Sequence, residues 1–155
     1  MNNALKLIIA LATPLLIGFS GSLFTISEIE NWYQTLQKPS WNPPNWLFGP
    51  VWTALYVLMG ISLFLVWRSA ASQKSTAIIL FALQLVLNFF WSFIFFKEHQ
   101  PGFAFAEILV LWLMILLTIF SFGRINKVAA WLLVPYMSWV SFAAVLNFTI
   151  WQLNK

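Results

Sequence analysis

Residues 39–67 read PSWNPPNWLFGPVWTALYVLMGISLFLVW, and none of them carries a charge. The apolar residues run on continuously instead of alternating, which argues for a helix over a barrel strand. Crossing a bilayer takes about 20 such residues at a rise of about 1.5 Å each, and in hydrocarbon only helices or closed barrels satisfy their own backbone. The stretch therefore predicts a membrane-spanning helix over about 46–68, entered through a proline-rich approach.

The same test applied outward finds charge-free runs at 7–27, 75–96 and 128–154, and a run at 99–123 interrupted only by Glu107. The chain is thus expected to be an all-α membrane protein. Five transmembrane helices, about 5–26, 46–68, 75–96, 102–123 and 128–152, form a single domain over 1–155. The first run is too long for a signal-peptide core and flows into an acidic segment at Glu28 and Glu30, so it is read as a retained helix.

Composition agrees. Of the 155 residues 61% are hydrophobic and 8% charged, against about 25% charged in a soluble domain. The net charge of +4 comes from eight basic residues scattered between apolar runs, with no basic stripe, so nucleic acid is not a partner. There is no cysteine, hence no disulfide framework or thiolate site. Lys6, Arg68, Lys74, Arg124 and Lys127 fall on the amino-terminal side of the bundle, and Lys38, Lys97 and Lys155 on the other. In a bacterial cell membrane that bias predicts a cytoplasmic amino terminus.

Three connections are short, implying antiparallel neighbours. The first, about 27–45, is long and carries Trp32, Tyr33 and Trp41 with Pro39, Pro43 and Pro44. Prolines and aromatics in place of Gly and Ser predict an ordered cover over the bundle, with Trp41 acting as a lid. For Trp32 and Trp46 a headgroup-level belt competes with the lid. Trp67, Trp131 and Trp151, near helix ends, are read as belt residues. Trp52, Trp91, Trp112 and Trp139 lie inside runs, where an indole N–H needs a partner that lipid does not offer, and are expected to face inward.

At helical spacing three mixed aromatic and polar faces emerge: Trp52, Tyr56 and Gly60; Gln84, Asn88, Trp91, Ser92 and Phe95; Trp139, Ala143 and Asn147. Together they predict an apolar cavity with a few placed polar groups, the form of a small-molecule site. The competing view makes Gln84, Asn88, Ser92 and Asn147 interhelical hydrogen-bond glue. Glu107 is either an inward functional carboxyl or a structural one. His99 is read as a solvated turn residue. No metal-ligand cluster, phosphate loop, nucleophile elbow or paired carboxylate occurs, so neither metal nor cofactor is expected.

Three separated blocks then carry a resemblance: WYQTLQKPSWNPPNWLFGPVWTALYVLMGISLFLVW at 32–67, LNFFWSFIFF with HQPGFAFAEILVLWL at 87–113, and KVAAWLLVPYMSWVSFAAVLNFTIW at 127–151. The chain resembles the translocator protein family, also called tryptophan-rich sensory proteins. The resemblance implies a five-helix, often dimeric membrane protein with a pocket under its first loop. That pocket takes porphyrins and, in relatives, benzodiazepine-site ligands and cholesterol. It implies ligand contacts at Trp52, Tyr56, Asn88, Trp91, Ser92, Trp139, Ala143 and Asn147, the same positions as the three faces. Roles attached to the family are tetrapyrrole transport, stress sensing and light-dependent porphyrin breakdown, for which Trp52 and Trp139 are the catalytic candidates. The carboxy-terminal stretch VLNFTIWQLNK places Phe148 where the cholesterol-associated pattern wants Tyr, so cholesterol recognition is not expected. Small-xxx-small spacing is not apparent in 75–96, which leaves the dimer interface open.

Overall fold

The computed structural model describes residues 1–155, all of it helix and connection with no strand. Helix α1 is Asn3–Ile29, capped at its start by the Asn2 side chain, which accepts from the Leu5 N–H at 2.8 Å. A single turn α2, Trp32–Thr35, follows in the loop, then α3 Asn45–Trp67 and α4 Lys74–Ser92. The α4 span continues through a π-helical turn, Phe93–Lys97. Helix α5 is Pro101–Gly123, with its proline in the first turn where a missing N–H costs nothing. The last span comprises α6 Lys127–Leu132 and α7 Val134–Leu153.

Five helical stretches are long and apolar enough to cross a membrane: Asn3–Ile29, Asn45–Trp67, Lys74–Lys97, Pro101–Gly123 and Lys127–Leu153. The protein is a multi-pass integral membrane protein. Three boundaries depart from expectation. The fifth span is not one continuous helix but is interrupted at Leu133, because Pro135 has no N–H to bond back across the break. The third span ends in the π turn, and the first helix runs three residues beyond its expected end at 26 into the loop.

Helix α1 packs on α3 and α4, α4 on α5, and α5 on α7; α3 also meets α6. The buried positions of α1 are Ala10, Pro14, Gly18 and Gly21, a stripe of small residues at roughly one-turn spacing that lets backbones approach. Closest approach comes at Gly60 of α3. A Cβ there would stand 2.8 Å from both the Ala10 carbonyl oxygen and the Leu11 Cα. At this end the core is solid, built on Met59, Val66, Phe81, Ile115 and Phe122. Large apolar side chains such as Ile8, Leu16, Phe103 and Phe120 point outward, an unacceptable surface in water and the ordinary one against lipid.

The long connection is ordered. Tyr33 is buried among Phe95, Phe96 and Ile150, and its hydroxyl donates to Asn42 Oδ1 at 3.0 Å. Lys38 Nζ donates to the Tyr33 and Leu36 carbonyls at 2.7 and 3.0 Å. The Gln37 N–H donates to Asn154 Oδ1 and Asn154 Nδ2 donates to the Gln37 carbonyl, tying the loop to the end of α7.

Candidate functional site

Toward the loop end the bundle is not solid. A cavity of about 720 Å³ lies between α1, α3, α4 and α7, beneath the first connection. Its lining contains no charged residue. Phe19 and Ile26 of α1 and Trp46 of α3 belong to the wall yet are themselves exposed, so the cavity opens sideways between the loop-side ends of those two helices.

Each wall follows from helical spacing. From α3 come Trp52 and Tyr56, one turn apart and stacked at 5.5 Å with 25° between rings. Gly18 of α1 makes room for that stack, since a Cβ there would run into the Tyr56 ring. Asn88, Trp91, Ser92 and Phe95 come from the α4 span, and Trp139, Ala143 and Asn147 from α7. Aromatic side chains bridge α3 and α7: Phe48 meets Trp139 at 6.1 Å and Trp52 meets Tyr136 at 6.1 Å, both edge to face.

Tyr56, Asn88, Tyr136 and Gln84 are linked in a chain of hydrogen bonds. The Tyr56 hydroxyl donates to Asn88 Oδ1 at 2.8 Å, Asn88 Nδ2 donates to the Tyr136 hydroxyl at 3.0 Å, and that hydroxyl donates to Gln84 Oε1 at 2.7 Å. Nearer the loop, the Trp91 indole N–H donates to Asn147 Oδ1 at 2.9 Å, and Asn147 Nδ2 donates to the Pro101 carbonyl at 2.8 Å. Asn88 and Asn147 therefore join helices as well as lining the wall, so glue and site are the same residues. Trp112 is held apart from the cavity by its N–H bond to Ser141 Oγ at 2.8 Å. The indole nitrogens of Trp52 and Trp139 have no such partner.

Eight of the nine expected ligand positions line this one cavity: Trp52, Tyr56, Asn88, Trp91, Ser92, Trp139, Ala143 and Asn147. The ninth, Trp41, does not. It is 46% exposed and meets Phe142 edge to face at 5.9 Å, outside the wall, because the proline-set loop directs it over the top of α7. Tyr33, Asn45, Trp46 and Phe48 take the covering positions instead. Gly60 also leaves its predicted face, serving the α1 contact. Gln84 lies below the cavity, at the end of the hydrogen-bond chain. Sequence reasoning missed the α1 wall, Leu15, Gly18, Phe19 and Ser22; Gly18 and Ser22, small and one turn apart, were its only signal.

His99 is not free in its turn. Its φ of 55° turns the ring onto Trp32, stacked at 4.2 Å and 9°, with Nε2 2.9 Å from Glu28 Oε2. This contact joins the α1 end of the loop to the α4–α5 turn. Among loop groups, burial pushes the Tyr33 phenol up, partly offset by its bond to Asn42, and burial lowers Lys38.

The chain matches the TspO/MBR family over residues 10–152. It is 47% identical to tryptophan-rich protein TspO of Chlorobaculum tepidum over 154 residues, covering 97% of this chain and 96% of that one. It is 38% identical to the translocator protein of Ovis aries, covering 89% and 83%. It is 37% identical to the tryptophan-rich sensory protein of Cereibacter sphaeroides, covering 81% and 78%. With the family match running from the first helix to the end of the last, the chain belongs to the TspO/MBR family.

Proposed function

We propose that the protein is a membrane receptor for porphyrins, such as protoporphyrin IX or haem-like tetrapyrroles, and for related flat hydrophobic molecules. Transport or stress sensing is its output. The observation that carries this reading is the uncharged cavity of about 720 Å³ walled by Trp52, Tyr56, Trp91 and Trp139. Its size falls in the range of roughly 300–1,000 Å³ typical of small-molecule sites, and its few polar groups suit orientation more than charge pairing. A flat macrocycle stacks on the indoles, and its carboxylates stay at the opening beside Trp46, at headgroup level. Relatives named translocator and sensory protein are consistent with uptake coupled to a signal. Occupancy would shift the equilibrium of the cover, whose Tyr33 both lines the cavity and anchors the loop.

One feature favours a second reading, light- and oxygen-dependent porphyrin degradation. Trp52 and Trp139 face the cavity with indole nitrogens unengaged, and no acid-base pair accompanies them. The test is a titration of detergent-solubilised protein with protoporphyrin, following tryptophan fluorescence in the dark and porphyrin absorbance under illumination. Saturable quenching weakened by Trp139→Phe is the expected result. Non-saturable quenching equal in both proteins overturns the receptor reading. Protein-dependent bleaching that Trp139→Phe abolishes at retained affinity moves the enzyme ahead.

A further inference from the structure

At the opposite end of the bundle the turn between α5 and α6 encloses a second hollow, of about 350 Å³. Ile119 and Phe120 of α5 and Ala130 and Trp131 of α6 form its apolar sides, and Arg124 and Lys127 stand at its head. We propose that this groove holds one anionic phospholipid, with the phosphodiester between Arg124 and Lys127 and an acyl chain along Phe120 and Ile119.

Charge accounting singles the place out. Of the five cations at this end, Lys74 donates to the Trp67 and Ser69 carbonyls, and Arg68 lies over the Phe64 ring. Lys6 stands alone on α1. Arg124 and Lys127 are the two that converge on one hollow, and neither has a protein anion. The molecule's one ion pair, His99 with Glu28, is at the far end, where Glu30 and Glu98 also lie. A guanidinium fork and an ammonium three residues apart suit a phosphodiester.

The apolar part decides between a lipid and a free phosphate. Phe120 is 62% exposed and Trp131 72% exposed, at the end of a span, where exposure means contact with acyl chains and headgroups. A soluble phosphate would use only the cations, and the walls would be unexplained. Gly123 keeps the floor open. A Cβ there would touch only the Ala130 Cβ at 3.5 Å, so a larger side chain fits the backbone and fills the groove.

The full chain in detergent is mixed with phosphatidylglycerol or with phosphatidylcholine of the same acyl chains, and retained lipid is counted by native mass spectrometry. One phosphatidylglycerol is expected to be retained preferentially. Arg124→Gln with Lys127→Gln lowers that retention by about thirtyfold, and Gly123→Leu lowers it with both charges in place. Lys6→Gln with Arg68→Gln removes as much charge from the same end and leaves retention unchanged. Equal loss in that control pair, equal retention of phosphatidylcholine, or displacement by glycerol phosphate at matched concentration overturns the proposal.

Discussion

The two ends of the α1–α3 pair are made from the same kinds of residue and behave oppositely. At the turn end, Gly60 brings backbone onto backbone and the core is filled. At the loop end, Gly18 accepts the ring of Tyr56, and the helices part around a cavity. A small residue in a membrane helix is thus an instruction to approach, and what approaches decides the outcome. Backbone against Gly60 closes the bundle; an aromatic side chain against Gly18 becomes a wall. The polar chain from Tyr56 through Asn88 and Tyr136 to Gln84 crosses the boundary between the halves. Its bonds fix the wall's orientation where lipid supplies no competing partner.

The largest expected effect breaks the closed half. Gly60→Val places methyls into the Ala10 carbonyl and the Leu11 backbone, neither of which can yield as a side chain could. Overpacking of this kind costs about 2–3 kcal/mol, read as a lowered thermal midpoint in detergent. Gly49→Ala in the same helix, where no group from another element lies within 4 Å of the added carbon, is expected to change stability by less than about 1 kcal/mol, because the helix propensity of Ala is offset by crowding of its Cβ against Pro50. Equal losses at both positions would show that the two ends do not differ in packing.

The spans were legible because lipid removes every alternative: a continuous apolar run has to be a helix. The three inner faces were legible for a related reason. Asn88 or Asn147 facing lipid would forfeit its hydrogen bonds, so turn-spaced polar and aromatic residues mark the interior. The α1 wall was not legible, since Leu15 and Phe19 look the same whether they face lipid or cavity. Position in the loop was harder still. Trp41 sits in a proline cluster that fixes local conformation without periodicity, and the side it covers depends on contacts with α7, distant in sequence. The His99 contact with Glu28 spans 71 residues, and no local pattern announces it. Pro135 was visible, yet a proline inside an apolar run can kink, end or be absorbed by a span; only the packing of α6 on α3 and α5 selects the break at Leu133.

A smaller effect sharpens the contrast between wall and cover. Trp52→Phe removes part of an indole face that lines the cavity and is expected to weaken porphyrin binding by about 1 kcal/mol, roughly fivefold. Trp41→Phe, outside the wall, is expected to leave the affinity unchanged. Both are read from the same fluorescence titration. Equal weakening by the two would mean that the loop carries Trp41 into the cavity when ligand arrives, and the division between wall and cover would then hold only for the empty site.

The smallest effect concerns the cover alone and depends on pH. Burial raises Tyr33, so the folded loop keeps the phenol proton to a higher pH than the opened loop does. The folded loop binds more protons in that interval, and its stability is full below the ordinary tyrosine value, about 10, and falls as pH rises above it. Lys38 works in the opposite sense: burial lowers it, so raising the pH removes a charge the folded loop disfavours. The Lys38 ammonium is only lightly buried and keeps the Tyr33 and Leu36 carbonyls as partners, whereas the Tyr33 ring is buried under the loop and its hydroxyl holds Asn42. Tyr33 therefore sets the net sign, and the cover loosens in alkali while the spans stay intact. Hydrogen exchange is the readout: amides at 31–42 should speed up above pH about 10, beyond the intrinsic rise measured for an unstructured peptide of the same sequence. Tyr33→Phe keeps the ring packing and loses the titrating hydroxyl, so its cover should start slightly looser and show no further alkaline step. An unchanged step in Tyr33→Phe would rule out the Tyr33 phenol as its source.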